Sequence, residues 1–235
     1  MKNIHLYMFL EEKIKKHEIY VFIDTLRATS TITTLIFCGA KEIIVKRDYD
    51  DYLKYKNNDF ILVGERNSII INEFDYDNSP YNIFINKRKI ENRKIFLSTT
   101  NGAKTFEKVN NYSDVVALSL LNINSISKFL ENFNDIGIIC SGTDNTISLE
   151  DSFTAGKLIY KLLEKFNFTL NDSSYITLSL AEKPLDYIFN SLNSIRLIKF
   201  NKKNDLDFCF QNSLFDVIPF AKKGTNIFNN LILKK

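Results

Sequence analysis

Short apolar runs that alternate with helix-like segments constrain the fold of this chain more than any other feature. The first run, Ile19–Ile23, has the length and composition of a buried strand, and a helix is predicted soon after it, ending at Gly39. Further strands are predicted at residues 43–45, 60–63, 95–97, 115–118 and 136–140, and helices at residues 28–38, 49–56, 102–109, 123–132 and 149–165. This alternation predicts βαβ units, and therefore a layered α/β/α fold around a mostly parallel or mixed sheet.

Two parts of the chain depart from the alternation. Residues 67–93 hold an isoleucine-rich run and a polar stretch that ends in the turn signal Asn78-Ser79-Pro80, which predicts an excursion carrying a substrate loop. After Phe166, residues 175–180 fit a strand or a helix, residues 185–198 a helix, and residues 216–220 a short strand. No linker or repeat marks a boundary, so we expect one domain over residues 1–235, with a division into two lobes left open.

Composition and charge argue against several kinds of protein. With a net charge of +3 and scattered Lys and Arg, the chain lacks the basic, aromatic-rich patch of a nucleic-acid binder. No apolar stretch is long enough to span a membrane, and residues 1–16 mix Glu and Lys into their apolar positions, so neither an anchor nor a signal peptide is expected. The three cysteines are far apart, which predicts buried free thiols and a cytoplasmic protein.

Histidine and cysteine offer little catalytic chemistry here. The two histidines, His5 and His17, both precede the first predicted strand and lie away from the polar clusters of the sequence. A zinc site built from Cys and His is therefore not expected. Acid–base chemistry is expected from Asp, Glu, Lys or a metal-bound water instead.

Polar clusters follow four of the predicted strands. They are Asp24 with Arg27, Gly64-Glu65-Arg66, Thr99-Thr100-Asn101-Gly102, and Ser141-Gly142-Thr143-Asp144, the last leading to Ser148-Leu149-Glu150-Asp151. Because the carboxyl ends of parallel strands lie on one edge of a sheet, we expect these clusters to meet in a cleft there. Each cluster taken singly has a simpler interpretation. The first would be a strand-end ion pair between Asp24 and Arg27, and the second a surface ion pair between Glu65 and Arg66. The other two would be helix caps, formed by Thr100 or Asn101 and by Ser148 with Asp151.

Together the clusters have the chemistry of an anion site that holds a metal ion. The guanidinium groups of Arg27 and Arg66 present a planar fork of donors to phosphate, sulfonate or carboxylate. Hydroxyl and backbone N–H groups of residues 99–102 and 141–143 can surround phosphate oxygens. Carboxylates that can bind Mg²⁺, attack phosphorus or activate water are Asp24, Glu65, Glu150 and Asp151. The chain has neither a G-x-x-x-x-G-K-[ST] loop nor a G-x-G-x-x-G motif, so ATP and dinucleotides are not indicated.

Five ordered motifs resemble those of the 2-phosphosulfolactate phosphatase family. They are Asp24-Thr25-Leu26-Arg27-Ala28-Thr29-Ser30, Gly64-Glu65-Arg66, Phe74-Asp75-Tyr76-Asp77-Asn78-Ser79-Pro80, Thr99-Thr100-Asn101-Gly102, and Ser148-Leu149-Glu150-Asp151 with Ala155-Gly156 beyond. A weaker similarity at residues 205–209 and 217–219 extends the match towards the C-terminus. The resemblance implies an α/β fold with the site in a cleft. It also implies Mg²⁺-dependent hydrolysis of (2R)-2-phospho-3-sulfolactate to (R)-3-sulfolactate and phosphate, a step towards coenzyme M.

The chain departs from the family pattern at positions near the expected site. Asn67 and Ser68 stand where the family usually has glycines, Asp77 where a glycine usually precedes Asn-Ser-Pro, and Ala103 where a threonine is usual. These changes bear on the substrate more than on the fold. The alternatives are a phosphatase of another 2-hydroxy acid phosphate, a non-catalytic anion-binding protein and, less favoured, a transferase.

The expected site residues fall into three groups. The catalytic candidates are Asp24, Glu65 and Glu150, and the Mg²⁺ ligands are Asp24 and Asp151, although the sequence does not separate nucleophile from metal ligand. The substrate-binding candidates are Arg27, Arg66, Asn78, Ser79, Thr100, Asn101, Gly102 and Ser141. The expected partner is a small phosphorylated sulfonate or hydroxy acid, without nucleic acid or membrane. The oligomeric state, including a homodimer, is left open.

Overall fold

The apolar runs pair into one mixed sheet in the computed structural model, which describes residues 1–10, 13–66 and 68–232. The strands of these ranges are β1 (Lys2–Tyr7), β2 (Ile19–Ile23), β3 (Glu42–Lys46), β4 (Ile61–Arg66), β5 (Ile69–Ile70), β6 (Lys94–Ser98), β7 (Asp114–Leu118), β8 (Asp135–Cys140), β9 (Phe168–Leu170), β10 (Pro219–Ala221) and β11 (Ile227–Asn230). Their order across the sheet is β5-β4-β6-β3-β11-β10-β7-β2-β8-β1-β9. The predicted α/β fold is confirmed, with a sheet that is mixed.

The sheet consists of two parallel halves joined by an antiparallel pair. Strands β4, β6 and β3 run parallel to one another, and so do β7, β2, β8, β1 and β9. Between the halves, β11 is antiparallel to β3, β10 to β11, and β7 to β10. Because three antiparallel steps reverse the chain direction, the two halves run in opposite senses. This corrects the expectation that all four polar clusters follow strands of a single direction.

The halves still place their carboxyl ends at one cleft, which is lined by residues that follow β2, β6 and β8 and by Glu65 of β4. Helix α1 (Ala28–Phe37) contacts β3, β7, β10 and β11, and the helix over Asn101–Asn110 contacts β2, β3 and β7. A twist of roughly 20–25° per strand turns β2 by about 100–125° relative to β6, which lies five steps away. Antiparallel strands turned through such an angle bring their carboxyl ends back towards each other.

Helices fill most connections between strands, as predicted. They are α1 (Ala28–Phe37), α2 (Tyr52–Lys56), α3 (Pro80–Ile85), α4 (Lys87–Ile90), α5 (Asn101–Asn110), α6 (Ile123–Leu130), α7 (Leu149–Leu163), α8 (Asp172–Ala181), α9 (Leu185–Ile188), α10 (Leu192–Lys199) and α11 (Lys203–Cys209), with a 3-10 turn at Leu120–Asn122. The prediction of one helix over residues 185–198 is wrong. The Ser191 hydroxyl accepts a hydrogen bond from the Ser194 N–H at 3.2 Å, which starts α10 as a separate helix.

The sequence pattern does not predict β1, β9 or β11. β1 carries Lys2 and His5 among its apolar residues, and β9 has only three residues, so their strand character comes from parallel pairing with each other and with β8. His5 therefore lies within a strand, and His17 is buried just before β2. The ring of His17 is hydrogen-bonded to the Tyr7 hydroxyl and to Asp135, each at 3.0 Å, which gives it a structural role.

Apolar side chains pack on both faces of the sheet. One cluster, which includes Phe22, Ile32 and Leu97, lies where both halves of the sheet meet α1 and α5. A second cluster, which includes Val21 and Leu158, lies between the β2–β8 face and helices α6 and α7. Within the described ranges, no helix combines the length and the apolar character needed to cross a membrane.

Candidate active site

Asp24 occupies the turn between β2 and α1, at the carboxyl end of a fully buried strand. Its Oδ1 atom accepts a hydrogen bond from the N–H of Ala28, the first residue of α1, at 3.1 Å. On the other side, Gly102 at the start of α5 comes so close that a Cβ built there would lie 2.8 Å from Oδ2 of Asp24. The carboxylate is thus held between the N-terminal ends of two ten-residue helices, where negative charge is favoured.

Asp151 ties the first turn of α7 to the ends of two strands. Its Oδ1 atom accepts a hydrogen bond from the Thr25 N–H at 2.8 Å, and Oδ2 accepts one from the Gly142 N–H at 3.3 Å. The Ser148 hydroxyl caps α7 by accepting from the Asp151 N–H at 3.3 Å. The helix-cap interpretation is therefore right for Ser148, whereas the Asp151 side chain is turned towards the loops after β2 and β8.

The two aspartates lie in an acidic, poorly hydrated environment. Burial raises the pKa of Asp24 to about 7, although the hydrogen bond from Ala28 lowers it. The charges of Glu65 and Glu150 raise it further. Burial, and then the charge of Asp24, raises the pKa of Asp151 well above its usual range. A buried carboxylate whose pKa is raised by a neighbouring carboxylate lacks a counter-charge, and a cation or a shared proton would stabilise the pair.

The two glutamates of the predicted site lie in different places. Glu65, at the end of β4, lines the cleft, and its Oε2 atom accepts a hydrogen bond from the Ser68 N–H at 2.7 Å. Glu150 is 1% exposed and is not among the residues that line the cleft. Its Oε1 atom accepts a hydrogen bond from the side-chain amide of Asn193 in α10 at 2.7 Å. Glu150 therefore acts on the cleft through its charge and through Asn193.

Arg27 lines the cleft, but its positive charge is already neutralised. Its Nη1 atom lies 2.5 Å from Oδ2 of Asp205 in α11 and 3.6 Å from Oδ2 of Asp77. The side chains of Arg27 and Asp205 are each 3% exposed, so this is a buried ion pair. Asp205 also accepts hydrogen bonds from the Ser79 hydroxyl at 2.5 Å and from the Tyr81 N–H at 3.2 Å. Arg27 is therefore ion-paired, but with Asp205 and Asp77, so the predicted strand-end pair between Arg27 and Asp24 is wrong about the partner.

Arg66 is directed into the protein beside the cleft. Its Nη2 atom donates hydrogen bonds to the Arg47 carbonyl at 2.5 Å and to the Ser98 hydroxyl at 2.9 Å, and Nη1 donates to the Glu65 carbonyl. The guanidinium group also lies over the ring of Tyr49, 4.6 Å from its centroid. Arg66 is not among the residues that line the cleft, so the structure does not bring it to the position expected of an anion-binding residue.

Amide and hydroxyl groups line the wall of the cleft that faces Asp24. Asn78, Thr100 and Asn101 all line it, as predicted for substrate contacts. The buried Oδ1 atom of Asn78 has no hydrogen-bond partner among the described residues, so its capacity to accept a hydrogen bond is unused. The cap of α5 is formed by Thr99, whose hydroxyl accepts from the Ala103 N–H at 3.0 Å, and this leaves the Thr100 and Asn101 side chains free of that task.

Three predicted substrate contacts lie behind the cleft surface. The Ser79 hydroxyl caps α3 by accepting from the Asn82 N–H at 3.1 Å and donates to Asp205. Ser141 is 5% exposed, and its Oγ atom has no hydrogen-bond partner among the described residues. Gly102 is buried, and its missing side chain gives Asp24 its space. These residues shape the site, and none of them is among its lining residues.

Helix α10 contributes lining residues that the sequence pattern does not predict. The described residues that line the cleft are Asp24, Leu26, Arg27, Glu65, Ser68, Asn78, Thr99, Thr100, Asn101, Gly142, Asp144, Asp151, Asn193, Arg196 and Leu197. The last three belong to α10. The sequence prediction considers polar residues that directly follow strands. It therefore cannot identify residues on a helix far along the chain.

The donor set of the cleft fits Mg²⁺ held by few protein ligands. In the part of the chain that the structure describes, no group of three or more His, Cys, Asp or Glu side chains is arranged to hold a metal ion. Mg²⁺ usually keeps several waters and takes only one or two carboxylates together with substrate phosphate. Asp24 and Asp151 line one cleft and repel each other, which is the arrangement that such an ion would stabilise.

Comparison with known proteins identifies the family of this chain. The profile of the family "2-phosphosulpholactate phosphatase" matches residues 5–224. A protein of Caldanaerobacter subterraneus subsp. tengcongensis named probable 2-phosphosulfolactate phosphatase is 33% identical over 233 residues, 95% of this chain and 96% of its own length. A protein of Thermotoga maritima with the same name is 33% identical, over 88% of this chain and 90% of its own length. The motif resemblance is confirmed: the chain belongs to the 2-phosphosulpholactate phosphatase family of phosphoric monoester hydrolases.

Proposed function

We propose that this protein is a Mg²⁺-dependent phosphatase that hydrolyses (2R)-2-phospho-3-sulfolactate to (R)-3-sulfolactate and phosphate. Membership of the family supports the reaction class, and the names of the relatives support the substrate. The product is a precursor of coenzyme M, so we also propose a place in that route. The buried free thiols of all three cysteines are consistent with a cytoplasmic location.

One observation carries the requirement for a metal ion: the cleft is acidic although its ligand is an anion. The lining carboxylates are those of Asp24, Glu65, Asp144 and Asp151, against the guanidinium groups of Arg27 and Arg196. Arg27 is already paired with Asp205. A substrate with phosphate, sulfonate and carboxylate groups would be repelled from such a cleft unless a divalent cation entered with it.

The surroundings of the carboxylates favour a division of roles. Asp24 and Asp151 would hold Mg²⁺, which when bound supplies Lewis-acid stabilisation of charge on the phosphoryl oxygens. Asp24 is half-buried at the cleft between the starts of α1 and α5, so we also assign to it the role of reaching phosphorus or the attacking water. Glu65, which lines the same cleft, would take the proton of that water, and Asn78, Thr100 and Asn101 would orient the phosphoryl oxygens.

The test is phosphate release from 2-phosphosulfolactate and from 2-phospholactate, with Mg²⁺ and with EDTA. We expect release that requires Mg²⁺ and is faster on the sulfonated substrate. Release from phospholactate alone would assign the protein to another 2-hydroxy acid phosphate. Binding of phosphate without turnover of either compound would favour the non-catalytic anion-binding protein, and transfer of phosphate to an acceptor would indicate a transferase. Turnover that is unchanged by EDTA would contradict the metal requirement.

A further inference from the structure

Arg196 is the guanidinium group of the cleft that is left available to a ligand. It projects from α10, and its side chain is 39% exposed, whereas that of Arg27 is 3% exposed. Its contacts are long: Nη2 lies 3.5 Å from Oδ2 of Asp144, and Nη1 lies 3.5 Å from Oδ1 of Asn193. An ion pair of this length at a solvent-exposed aspartate contributes little to stability and exchanges readily.

The backbone that carries Arg196 is fixed in place by Asn193, one turn earlier in α10. The side-chain amide of Asn193 donates hydrogen bonds to Oε1 of the buried Glu150 and to the hydroxyl of Thr143, both at 2.7 Å. Leu197, next to Arg196, is 3% exposed and also lines the cleft. The helix is therefore anchored to the buried Glu150 and to Thr143, while the side chain of Arg196 makes only long contacts with Asp144 and Asn193.

Arg196 approaches the cleft from a different wall than the groups assigned to the phosphate. The groups assigned to the phosphate, Asn78, Thr100 and Asn101, come from the loop before α3 and from the start of α5. Arg196 comes from α10, which is not part of the sheet. In 2-phospho-3-sulfolactate the carboxylate sits on the same carbon as the phosphate ester, and the sulfonate sits one carbon further away. A cleft group that comes from a separate element, α10, is thus suited to the sulfonate.

We propose that Arg196 binds the sulfonate group of the substrate and that Asp144 is the counter-ion which Arg196 leaves when the substrate enters. This inference rests on the proposed function and adds the residues that select a sulfonated substrate. The planar guanidinium presents two parallel N–H donors to two sulfonate oxygens, a geometry that lysine cannot supply. Asp144, whose side chain is 76% exposed, keeps the charge of Arg196 balanced when the cleft is empty.

The main test compares Arg196→Gln with the wild type on 2-phosphosulfolactate and on 2-phospholactate. We expect kcat/KM for the sulfonated substrate to fall about 10- to 100-fold, mostly through KM, because a charged hydrogen-bonding partner is lost. The loss on phospholactate, which has no sulfonate, should be much smaller. Arg196→Lys should recover only part of the loss. Equal losses on both substrates, or no loss on either, would overturn the assignment to the sulfonate.

One control distinguishes loss of the sulfonate contact from a general loss of positive charge. A second measurement distinguishes failure of this inference from failure of the proposed function. Arg88→Gln removes an exposed guanidinium on α4, away from the cleft, and should leave both substrates unchanged. If the wild type releases phosphate from neither substrate, the proposed function fails. In that case we measure the binding of 3-sulfolactate by calorimetry in the presence of Mg²⁺. Binding that is at least about tenfold tighter to the wild type than to Arg196→Gln supports the inference. Equal binding to both proteins, or no binding, overturns it.

The counter-ion role has its own test in Asp144→Asn. Because Arg196 would no longer have to leave a carboxylate, KM for 2-phosphosulfolactate should fall by a factor of about 2–5. The same substitution in the Arg196→Gln background should have little effect. An equal fall in both backgrounds would mean that Asp144 repels the substrate directly, and would contradict the exchange between Asp144 and the sulfonate.

Discussion

At the scale of single residues, Asp24 and Asp151 are chemically alike but differently placed. Both oxygens of Asp151 accept backbone N–H groups, and the residue is 3% exposed, which fixes it as a rigid carboxylate. Asp24 is half-buried and accepts only one N–H bond from the backbone of α1, while its second oxygen faces Gly102. Asp24 is therefore the carboxylate whose chemistry a substrate in the cleft can use.

Asp24→Asn should abolish turnover without unfolding the protein. The amide keeps the size of the side chain and can still accept from the Ala28 N–H, but it loses the charge needed for attack or metal binding. We expect kcat to fall by roughly 10³-fold or more, with an unfolding midpoint at neutral pH no lower than that of the wild type. Asp50→Asn, at an exposed position of the β3–α2 loop, is the matched control. Near-full activity of Asp24→Asn would refute the assigned role.

Gly102→Ala should impair the site through a single methyl group. A Cβ there lies 2.6 Å from the Ala28 Cβ and 2.8 Å from Oδ2 of Asp24, so the carboxylate or α1 must shift. We expect a loss of about 1–3 kcal/mol in the free energy of unfolding together with a large fall in kcat. Gly156→Ala, whose Cβ meets the Thr177 carbonyl at 2.0 Å, should destabilise the α7–α8 contact but leave the kcat of folded protein unchanged. Matched losses of kcat in both variants would show that Gly102 has no special relation to Asp24.

At the scale of elements, the site joins two sheet halves to helices that lie outside the sheet. The strand-end residues could be predicted, because short apolar runs followed by Asp, Thr and Gly mark where β2 and β6 end. The direction in which a side chain turns there could not be predicted. Arg66 is the last residue of β4, and its side chain is turned towards Ser98 and the Arg47 carbonyl. Arg196 and Asp205 follow no strand, and only the tertiary packing of α10 and α11 brings Arg196 to the cleft and Asp205 to Arg27.

The contact between α11 and the start of α1 depends on Asp205. This carboxylate neutralises the buried Arg27 and accepts from the Ser79 hydroxyl and the Tyr81 N–H, so it connects α11 with the N-terminus of α3 as well. Asp205→Asn leaves Arg27 buried without its nearest carboxylate, and we expect a loss of about 3–5 kcal/mol in urea unfolding. Asp207→Asn, on the exposed side of the same helix, should change stability by less than about 0.5 kcal/mol.

At the scale of the whole molecule, the acidic cleft should make stability depend on pH and on metal. In the metal-free protein the pKa of Asp24 is about 7 against an ordinary value of 3.8, and the pKa of Asp151 is raised as well. Between the ordinary pKa of 3.8 and the raised pKa of about 7, the Asp24 carboxyl of the folded protein keeps a proton that the unfolded chain has lost. Stability should therefore be highest below about pH 4 as far as these two groups are concerned, and it should fall as the pH rises through about 7.

Urea unfolding in EDTA between about pH 4 and about pH 8 measures this dependence, and the Asp24→Asn variant isolates it from the other titrating groups. One fully displaced proton gives a slope of about 1.4 kcal/mol per pH unit, and the partial exposure of Asp24 should reduce it. The variant removes the Asp24 contribution and part of that of Asp151, whose burial and whose charged neighbour Glu150 remain. Mg²⁺ competes with protons for the same carboxylates, so it should stabilise the wild type increasingly as the pH rises. A difference between wild type and variant that does not change with pH, or stabilisation by Mg²⁺ that is equal in both, would show that these aspartates are neither proton-linked nor the site of the ion.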